Sequence, residues 1–200
     1  MKSRAIFLGS FDPPHLGHYN CLNSVVDCIK NNQLPVDIEK IHVIPALQNP
    51  NKKNSLPFWT RYKMCKLMFK SLCDYVIVDD IERLVRPQYT YQLINYFKEA
   101  DDILDSNFWW IITNETFNEL WEGKWKESEY LLNTNKFIVL EESKDKKDWP
   151  HYYDIPVIQV PLIEYYNIHS TDIRNNLENN KDKINQDVYN FIKENHLYNI

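Results

Sequence analysis

One short stretch constrains this chain more than any other, because it holds two of the three glycines in 200 residues. It covers residues 9–18 and reads Gly-Ser-Phe-Asp-Pro-Pro-His-Leu-Gly-His. An apolar run at 4–8 precedes it and an amphipathic pattern over 16–29 follows it, which predicts a strand, a tight loop and a helix. The first backbone N–H groups of a helix are unpaired and can bind an anion. Gly9 is expected to let the backbone leave the strand at an angle that a side chain would resist, and to let a ligand approach closely.

The two histidines of this stretch can be interpreted in more than one way. His15 and His18 are three positions apart, so we expect both side chains on one face of the first helical turn. Such a pair can be half of a zinc site, but no cysteine or carboxylate cluster at ligand spacing completes it, and we expect no fixed metal. The pair can also be ordinary surface polarity.

The strand-like segments predict the fold class. They lie at 40–45, 75–79, 108–113, 136–140 and 157–160, and they alternate with helical patterns. This alternation predicts an α/β fold, a Rossmann-like parallel sheet with helices on both faces and right-handed crossovers. We expect a single domain over 1–200, with the core in 1–165 and C-terminal helices in 166–200. Ligands of such sheets bind at the carboxyl ends of the strands, where the stretch 9–18 begins.

Composition argues against several classes of protein. The 23 basic and 28 acidic residues give a net charge of −5, which argues against general nucleic-acid binding. No apolar run approaches a membrane span, and the first residues are too short a segment for a signal peptide. The four cysteines lack CxxC spacing, so we expect reduced thiols. These features predict a cytoplasmic protein, with the nucleus left open, and no nucleic-acid or membrane partner.

Two signatures carry a family resemblance. Residues 9–18, here called the first signature, resemble the His-x-Gly-His element of the nucleotidyltransferase superfamily. In this N-terminal setting they are most similar to the nicotinate/nicotinamide mononucleotide adenylyltransferases. Residues 168–174, the second signature, read Ile-His-Ser-Thr-Asp-Ile-Arg and resemble that family's Ile-Ser-Ser-Thr-x-x-Arg, with His169 replacing the first serine. The end of the chain, an amphipathic segment over 188–198 that closes in Leu-Tyr, also resembles the family.

The resemblance implies a role for each matching residue. The catalytic residues would be His15, His18 and Arg174, which supply cationic or donor groups to the phosphates of ATP. The remaining ATP-binding residues would be Gly9, Ser10, Phe11, Gly17, His169, Ser170 and Thr171. Taken alone, the second signature would be an ordinary helix cap, Ser170 or Thr171, followed by a surface arginine.

Other segments resemble the family's mononucleotide site. Pro50-Asn51-Lys52 is similar to its Pro-x-Lys element, although a pair of lysines in a polar loop is often only solvated. Gln88-Tyr89-Thr90 is similar to its Ser-Tyr-Thr element, which implies mononucleotide contacts for Tyr89 and Thr90. Capping of a helix would explain Thr90 about as well.

The strand end at 113–115 departs from the family. Members of the family have Gly-x-Asp at this position, and the resemblance implies that the acidic residue contacts a ribose. This chain has Glu115 in place of the aspartate. A family tryptophan a few residues further on stacks on the nicotinate ring. The spacing back from the leucine pair at 131–132 favours Trp125 over Trp121 for this role. The spacing forward from Glu115 does not decide between them. The alternative is that the tryptophan only packs against the rest of the protein.

The resemblance implies adenylyl transfer in NAD biosynthesis. ATP and nicotinate mononucleotide would give nicotinate adenine dinucleotide and pyrophosphate, with Mg²⁺ arriving with ATP. Nicotinamide mononucleotide is the alternative acceptor, and the whole-chain pattern favours the bacterial-type, nicotinate-preferring branch. The acceptor phosphate is already an anionic nucleophile, so positioning and electrostatics would suffice without a strong general base.

Three other functions are alternatives for a chain with these signatures. Phosphopantetheine adenylyltransferases are usually shorter and lack the tryptophan-rich segment and the terminal Leu-Tyr helix. A cytidylyltransferase fits less well. A non-catalytic nucleotide-binding regulator would have no need of His15, His18 and Arg174 together.

Overall fold

A parallel sheet organises the fold. The computed structural model describes residues 3–47, 55–99, 108–141, 155–164 and 168–199. The strands of its six-stranded sheet are β1 (Ser3–Gly9), β2 (Ile38–Pro45), β3 (Val76–Val78), β4 (Trp109–Thr113), β5 (Phe137–Glu141) and β6 (Val157–Pro161). Their spatial order is β3-β2-β1-β4-β5-β6, and each neighbouring pair is parallel. This confirms the predicted α/β fold with a Rossmann-like sheet.

Within the described residues, helices follow β1, β2, β3, β4 and β6. In the described part of the chain they are α1 (Leu16–Lys30), α2 (Phe58–Met68), α3 (Ile81–Val85), α4 (Thr90–Glu99), α5 (Asn114–Trp121), α6 (Ser128–Thr134), α7 (Ser170–Asn175) and α8 (Gln186–Glu194). Short 3-10 turns occur at Lys70–Leu72, Glu178–Lys183 and Leu197–Asn199. None of the described helices combines the length and the apolar content that a bilayer span requires.

An apolar layer covers each face of the sheet, because successive strand residues point to opposite sides. On β1, Ala5 and Phe7 belong to a layer that includes residues of α1, α2, α7 and α8. Ile6 belongs to the other layer, with residues of α3, α4, α5 and α6. Helices therefore lie on both faces, as predicted.

The start of α4 differs from the prediction. Thr90 is the first residue of the helix and not the residue that caps it. Gln92 reaches back instead, and its side-chain oxygen accepts the backbone N–H groups of Gln88 (2.7 Å) and Tyr89 (3.0 Å). The glutamine side chain thus pairs with backbone N–H groups at the start of the helix. The sequence pattern had predicted this role for Thr90.

The start of α7 also differs. His169 occupies the N-cap position and α7 begins at Ser170. Ser170 is therefore inside the first turn and not at the cap, and its hydroxyl donates to the carbonyl oxygen of Pro13 at 2.9 Å. A contact with a distant loop therefore takes the hydroxyl group that was expected to act locally.

The centre of the sheet determines where a ligand can bind. β1 and β4 lie side by side, and the chain leaves them toward opposite edges of the sheet. In open parallel sheets, ligands bind outside the carboxyl ends of the strands at such a switch point. Gly9 ends β1 and Thr113 ends β4, so the first signature and the residues at 113–115 lie at the same edge.

Candidate functional site

The two histidines of the first signature lie against each other at the start of α1. His15 is the N-cap residue and His18 follows in the first turn. Their ring centroids are 3.7 Å apart, and Nδ1 of His18 accepts the backbone N–H of His15 at 3.2 Å. Because Nδ1 is an acceptor, the proton of the neutral His18 ring is on Nε2, which makes Nε2 a hydrogen-bond donor.

His15 is a neutral group in this setting. Its side chain is buried, and burial lowers the pKa of His15 to about 3, with a further decrease from nearby His169. Near neutral pH it therefore carries no positive charge. In the ligand-free protein, His15 is therefore a neutral imidazole, and its contact with ATP stays a prediction.

Phe11 explains why residue 9 is a glycine. A Cβ on Gly9 would lie 2.8 Å from Cζ of Phe11, closer than real Cβ contacts allow. The φ of Gly9 lies outside the left-handed region, so the expectation that its backbone angle requires glycine is wrong. Phe11 itself has a φ of 49°, and its buried ring packs edge-on against His18 with centroids 5.0 Å apart. The buried ring of Phe11 thus restricts where the ring of His18 can lie.

The second signature packs directly on the first. Arg174 donates from Nη1 to the carbonyl oxygen of Asp12 at 2.6 Å and from Nη2 to Oγ1 of Thr171 at 3.0 Å. Together with the bond from Ser170 to Pro13, these contacts bring residues from the two ends of the sequence into one cluster. Ser10 lies in the same loop, and Gly17 is the second residue of α1.

The side chain of Asp12 is buried in this cluster and connects it to two other segments. Its side chain is 2 % exposed. Oδ1 accepts the hydroxyl of Tyr198 at 2.8 Å, and Oδ2 accepts the N–H of Leu56 at 3.3 Å. The contact between Asp12 and Tyr198 spans 186 positions, so no local pattern in the sequence signals it.

Arg61 was missed as a residue of the site. It is 2 % exposed, and its guanidinium binds carbonyl oxygens. Nη1 donates to Ser10 at 2.6 Å, while Nη2 and Nε reach Ala46 (2.6 Å), Leu47 (3.2 Å) and Leu56 (2.9 Å). One guanidinium group thus ties together the loop after β1, the loop after β2 and the segment before α2.

Glu82 was also missed. It is buried on α3, and its Oε2 accepts the backbone N–H of Leu47. Burial raises the pKa of Glu82 to about 7, against the opposing effects of the Leu47 bond and of Arg61. Glu82 therefore changes charge near neutral pH while bonded to the loop that Arg61 also holds.

Those residues predicted for the mononucleotide that the structure describes lie at the start of α4 and after β4. Glu115 is exposed in the first turn of α5, whose N-cap is Thr113. Tyr89 is exposed and stacks on Tyr91 with ring centroids 6.1 Å apart, next to Thr90 at the start of α4. Lys52 lies outside the described residues.

Trp125 follows α5 and is half-buried. Its Nε1 donates to Oε2 of Glu119 at 3.3 Å, and its ring packs edge-on against Trp110 with centroids 5.9 Å apart. Trp121 is packed against the same apolar layer. Both tryptophans therefore have packing partners, and the choice between them for ring stacking stays a prediction.

The chain is similar to known proteins over most of its length. Residues 6–176 match the family described as cytidylyltransferase-like. A probable nicotinate-nucleotide adenylyltransferase of Fusobacterium nucleatum is 34% identical over 185 residues, which cover 89% of each chain. One from Methylacidiphilum infernorum is 28% identical over 203 residues, covering 97% of this chain and 91% of the relative.

A solved structure shares the fold. It is the Plasmodium falciparum nicotinic acid mononucleotide adenylyltransferase complexed with NaAD, with a TM-score of 0.76 at 20% identity. The match covers 100% of this chain and 98% of that one. At this level of identity the likeness establishes the fold and no more.

Proposed function

The chain belongs to the cytidylyltransferase-like family and, within it, to the nicotinate-nucleotide adenylyltransferases, and we infer that it transfers the adenylyl group of ATP to nicotinate mononucleotide. The products are nicotinate adenine dinucleotide and pyrophosphate. The observation that carries this function is the packing of the second signature on the first, in which Ser170 and Arg174 bind the backbone of Pro13 and Asp12. This cluster lies at the switch point of the sheet, where such folds bind nucleotides.

The reaction needs alignment more than proton transfer. A phosphate oxygen of the mononucleotide forms a bond to the α-phosphorus of ATP, and the bond from that phosphorus to the β-phosphate oxygen breaks. The bonding electrons leave with pyrophosphate, and no proton must be removed from the attacking phosphate. Catalysis therefore consists of holding the two anions in line and neutralising the charge that develops on the leaving group.

The proposed donors to ATP differ in character. His18 donates from Nε2, and His15 contributes as a neutral imidazole, since burial keeps its pKa low. Arg174 supplies a permanent positive charge. Its guanidinium has more N–H donors than its bonds to Asp12 and Thr171 use, so it can hold the loop and contact a phosphate together. The remaining ATP contacts in the proposal are Gly9, Ser10, Phe11, Gly17, His169, Ser170 and Thr171.

Mg²⁺ enters, in this proposal, as part of the MgATP substrate. The described residues contain no group of three or more His, Cys, Asp or Glu side chains that could hold a metal ion. Both side-chain oxygens of Asp12, the carboxylate of the first signature, already accept protein donors. Mg²⁺ commonly binds through nucleotide phosphates with few protein ligands, and we propose that it does so here.

The proposed acceptor site uses Lys52, Tyr89, Thr90, Glu115 and Trp125. The names of the curated relatives favour nicotinate over nicotinamide mononucleotide as the acceptor. The proposal includes a cytoplasmic location, which the sequence pattern alone suggests.

Pyrophosphate release tests the function. The purified protein is incubated with MgATP and nicotinate mononucleotide, and separately with nicotinamide mononucleotide, with phosphopantetheine, with CTP in place of ATP, or without an acceptor. We expect pyrophosphate and an equal amount of dinucleotide with ATP and nicotinate mononucleotide. Binding of ATP without pyrophosphate release with any acceptor would instead identify a nucleotide-binding regulator.

A further inference from the structure

Asp12 connects the first signature to three other parts of the chain. Its buried carboxylate accepts one bond from Tyr198 and one from the backbone of Leu56, and its carbonyl oxygen accepts one from Arg174. A buried polar group that loses a partner is costly in free energy, so these bonds restrict where the loop can lie. The backbone of the first signature is thus positioned by groups outside it.

Tyr198 is the most distant of these groups in sequence. It lies in the C-terminal turn (Leu197–Asn199), where it has a φ of 65°, and its ring packs against the apolar layer of α1, α2 and α8. Burial raises the pKa of Tyr198, and the negative charge of Asp12 raises it further. The hydroxyl therefore stays protonated and acts as a donor, and donation to a carboxylate is stronger than donation to a neutral acceptor.

We propose that Tyr198 is a positioning residue for adenylyl transfer, because its hydroxyl fixes Asp12 and, through Asp12, the loop that receives the phosphates of ATP. This inference rests on the proposed function and adds the C-terminal turn to the machinery of the reaction. Tyr198 acts through Asp12, and a change at Asp12 also reaches Arg174, which is bound to the same residue. A misplacement of about 1 Å among reacting groups can cost about 10²-fold in rate.

The test removes one hydroxyl group at a time. Tyr198→Phe keeps the buried ring and loses only the bond to Asp12. Tyr189→Phe is the matched control, because Tyr189 is also partly buried against the same apolar layer and its hydroxyl also donates to a carboxylate, that of Glu178, in an exposed hydrogen bond. We expect kcat/KM for ATP to fall by about tenfold or more in Tyr198→Phe and to stay at the parent level in Tyr189→Phe.

A double-mutant cycle shows whether Tyr198 acts through Asp12. Asp12→Asn leaves only a neutral amide oxygen as a weaker acceptor for the Tyr198 hydroxyl, so adding Tyr198→Phe to it should cause a smaller loss than Tyr198→Phe causes in the parent. Full additivity of the two effects would overturn the proposal. A kcat/KM for ATP within about twofold of the parent in Tyr198→Phe would also overturn it, whether or not Tm falls. If Asp12→Asn fails to fold, the comparison of the two tyrosine variants still decides.

ATP binding separates this inference from the proposed function. The affinity for MgATP is measured by calorimetry without any acceptor, and we expect it to be weaker in Tyr198→Phe and unchanged in Tyr189→Phe. If the parent binds ATP but forms no dinucleotide, the proposed function fails while the effect of Tyr198 on the loop is still measured. If the parent forms dinucleotide and Tyr198→Phe matches it in ATP affinity and in kcat/KM, only the role of Tyr198 is overturned.

Discussion

At the scale of single residues, His18 has a structural contact on one ring nitrogen and a proposed chemical role on the other. His18→Asn keeps an oxygen that can accept the N–H of His15 but removes Nε2, so kcat should fall by about 10²–10³ with little change in Tm. His18→Ala loses both functions and should also lower the free energy of unfolding by about 1 kcal/mol. Steady-state kinetics and thermal unfolding of the two variants check this. Turnover close to that of the parent in either variant would contradict the assignment.

Glu82 gives the protein a pH-dependent stability. Its folded-state pKa of about 7 lies above the ordinary value of 4.5, so between these pH values the folded state holds a proton that the unfolded state has released. The free energy of unfolding should therefore fall as pH rises through this window, by roughly 3 kcal/mol from this group, and level off above it.

Glu82→Gln checks this dependence, because glutamine can still accept the Leu47 N–H and does not titrate. Denaturant unfolding between pH 4.5 and 8 should show a flatter profile for the variant than for the parent. The exposed Glu194→Gln controls for the loss of one carboxylate. Parallel profiles for the parent and Glu82→Gln would show that Glu82 ionises alike in the folded and unfolded states.

The residues of the site differ in how far the sequence could predict them. His15, His18, Ser170 and Arg174 belong to short signatures that can be recognised locally, and the structure brings them together. Arg61, Glu82 and Tyr198 lie outside both signatures and act through contacts with distant segments. The tertiary fold determines which carbonyl or carboxylate group a buried side chain contacts. A local sequence pattern therefore does not predict these partners.

At the scale of elements, the strands were easier to predict than the helix starts. Strands of a sheet covered on both faces are continuous apolar runs, and that pattern is local. The short α3 was not predicted, since five residues, Ile81–Val85, are too few to show helical periodicity. The caps of α4 and α7 were assigned to the wrong side chains, because Gln92 reaches back to Gln88 and Tyr89 at the start of α4 and Ser170 binds the distant Pro13.

The connection between α5 and α6 carries the predicted ring contact of the mononucleotide. Trp125 is held edge-on to Trp110 and bonded to Glu119, which limits its motion while leaving it half-buried. Stacking on a heteroaromatic ring is worth about 0.5–1.5 kcal/mol beyond burial. We therefore expect Trp125→Ala to weaken nicotinate mononucleotide binding by about tenfold or more with ATP affinity nearly unchanged.

Trp121→Ala is the internal control for Trp125, because Trp121 packs against the same apolar layer. It should act through stability, seen as a lower Tm, and leave mononucleotide affinity alone. Fluorescence or calorimetric titration of both variants checks this. Selective loss of mononucleotide binding in Trp121→Ala would place the stacking residue one helical turn earlier, and loss in neither would point to another group such as Tyr89.

At the scale of the whole molecule, the fold brings the two signatures, which lie near opposite ends of the sequence, into direct contact. The first signature follows the central strand β1, while the second follows the edge strand β6 and packs back on the loop through Ser170 and Arg174. A nucleotide bound by both signatures would stabilise this packing, and binding to the folded state at about 100 times Kd adds about 2.7 kcal/mol. We therefore expect saturating MgATP to raise Tm and to slow amide hydrogen exchange in both 9–18 and 168–174.

In the same experiment, Arg174→Lys should lose most of the protection at 168–174, because a lysine cannot bridge Asp12, Thr171 and a phosphate as the planar guanidinium does. Protection confined to 9–18 in the parent would mean that the second signature serves the loop alone and does not bind ATP.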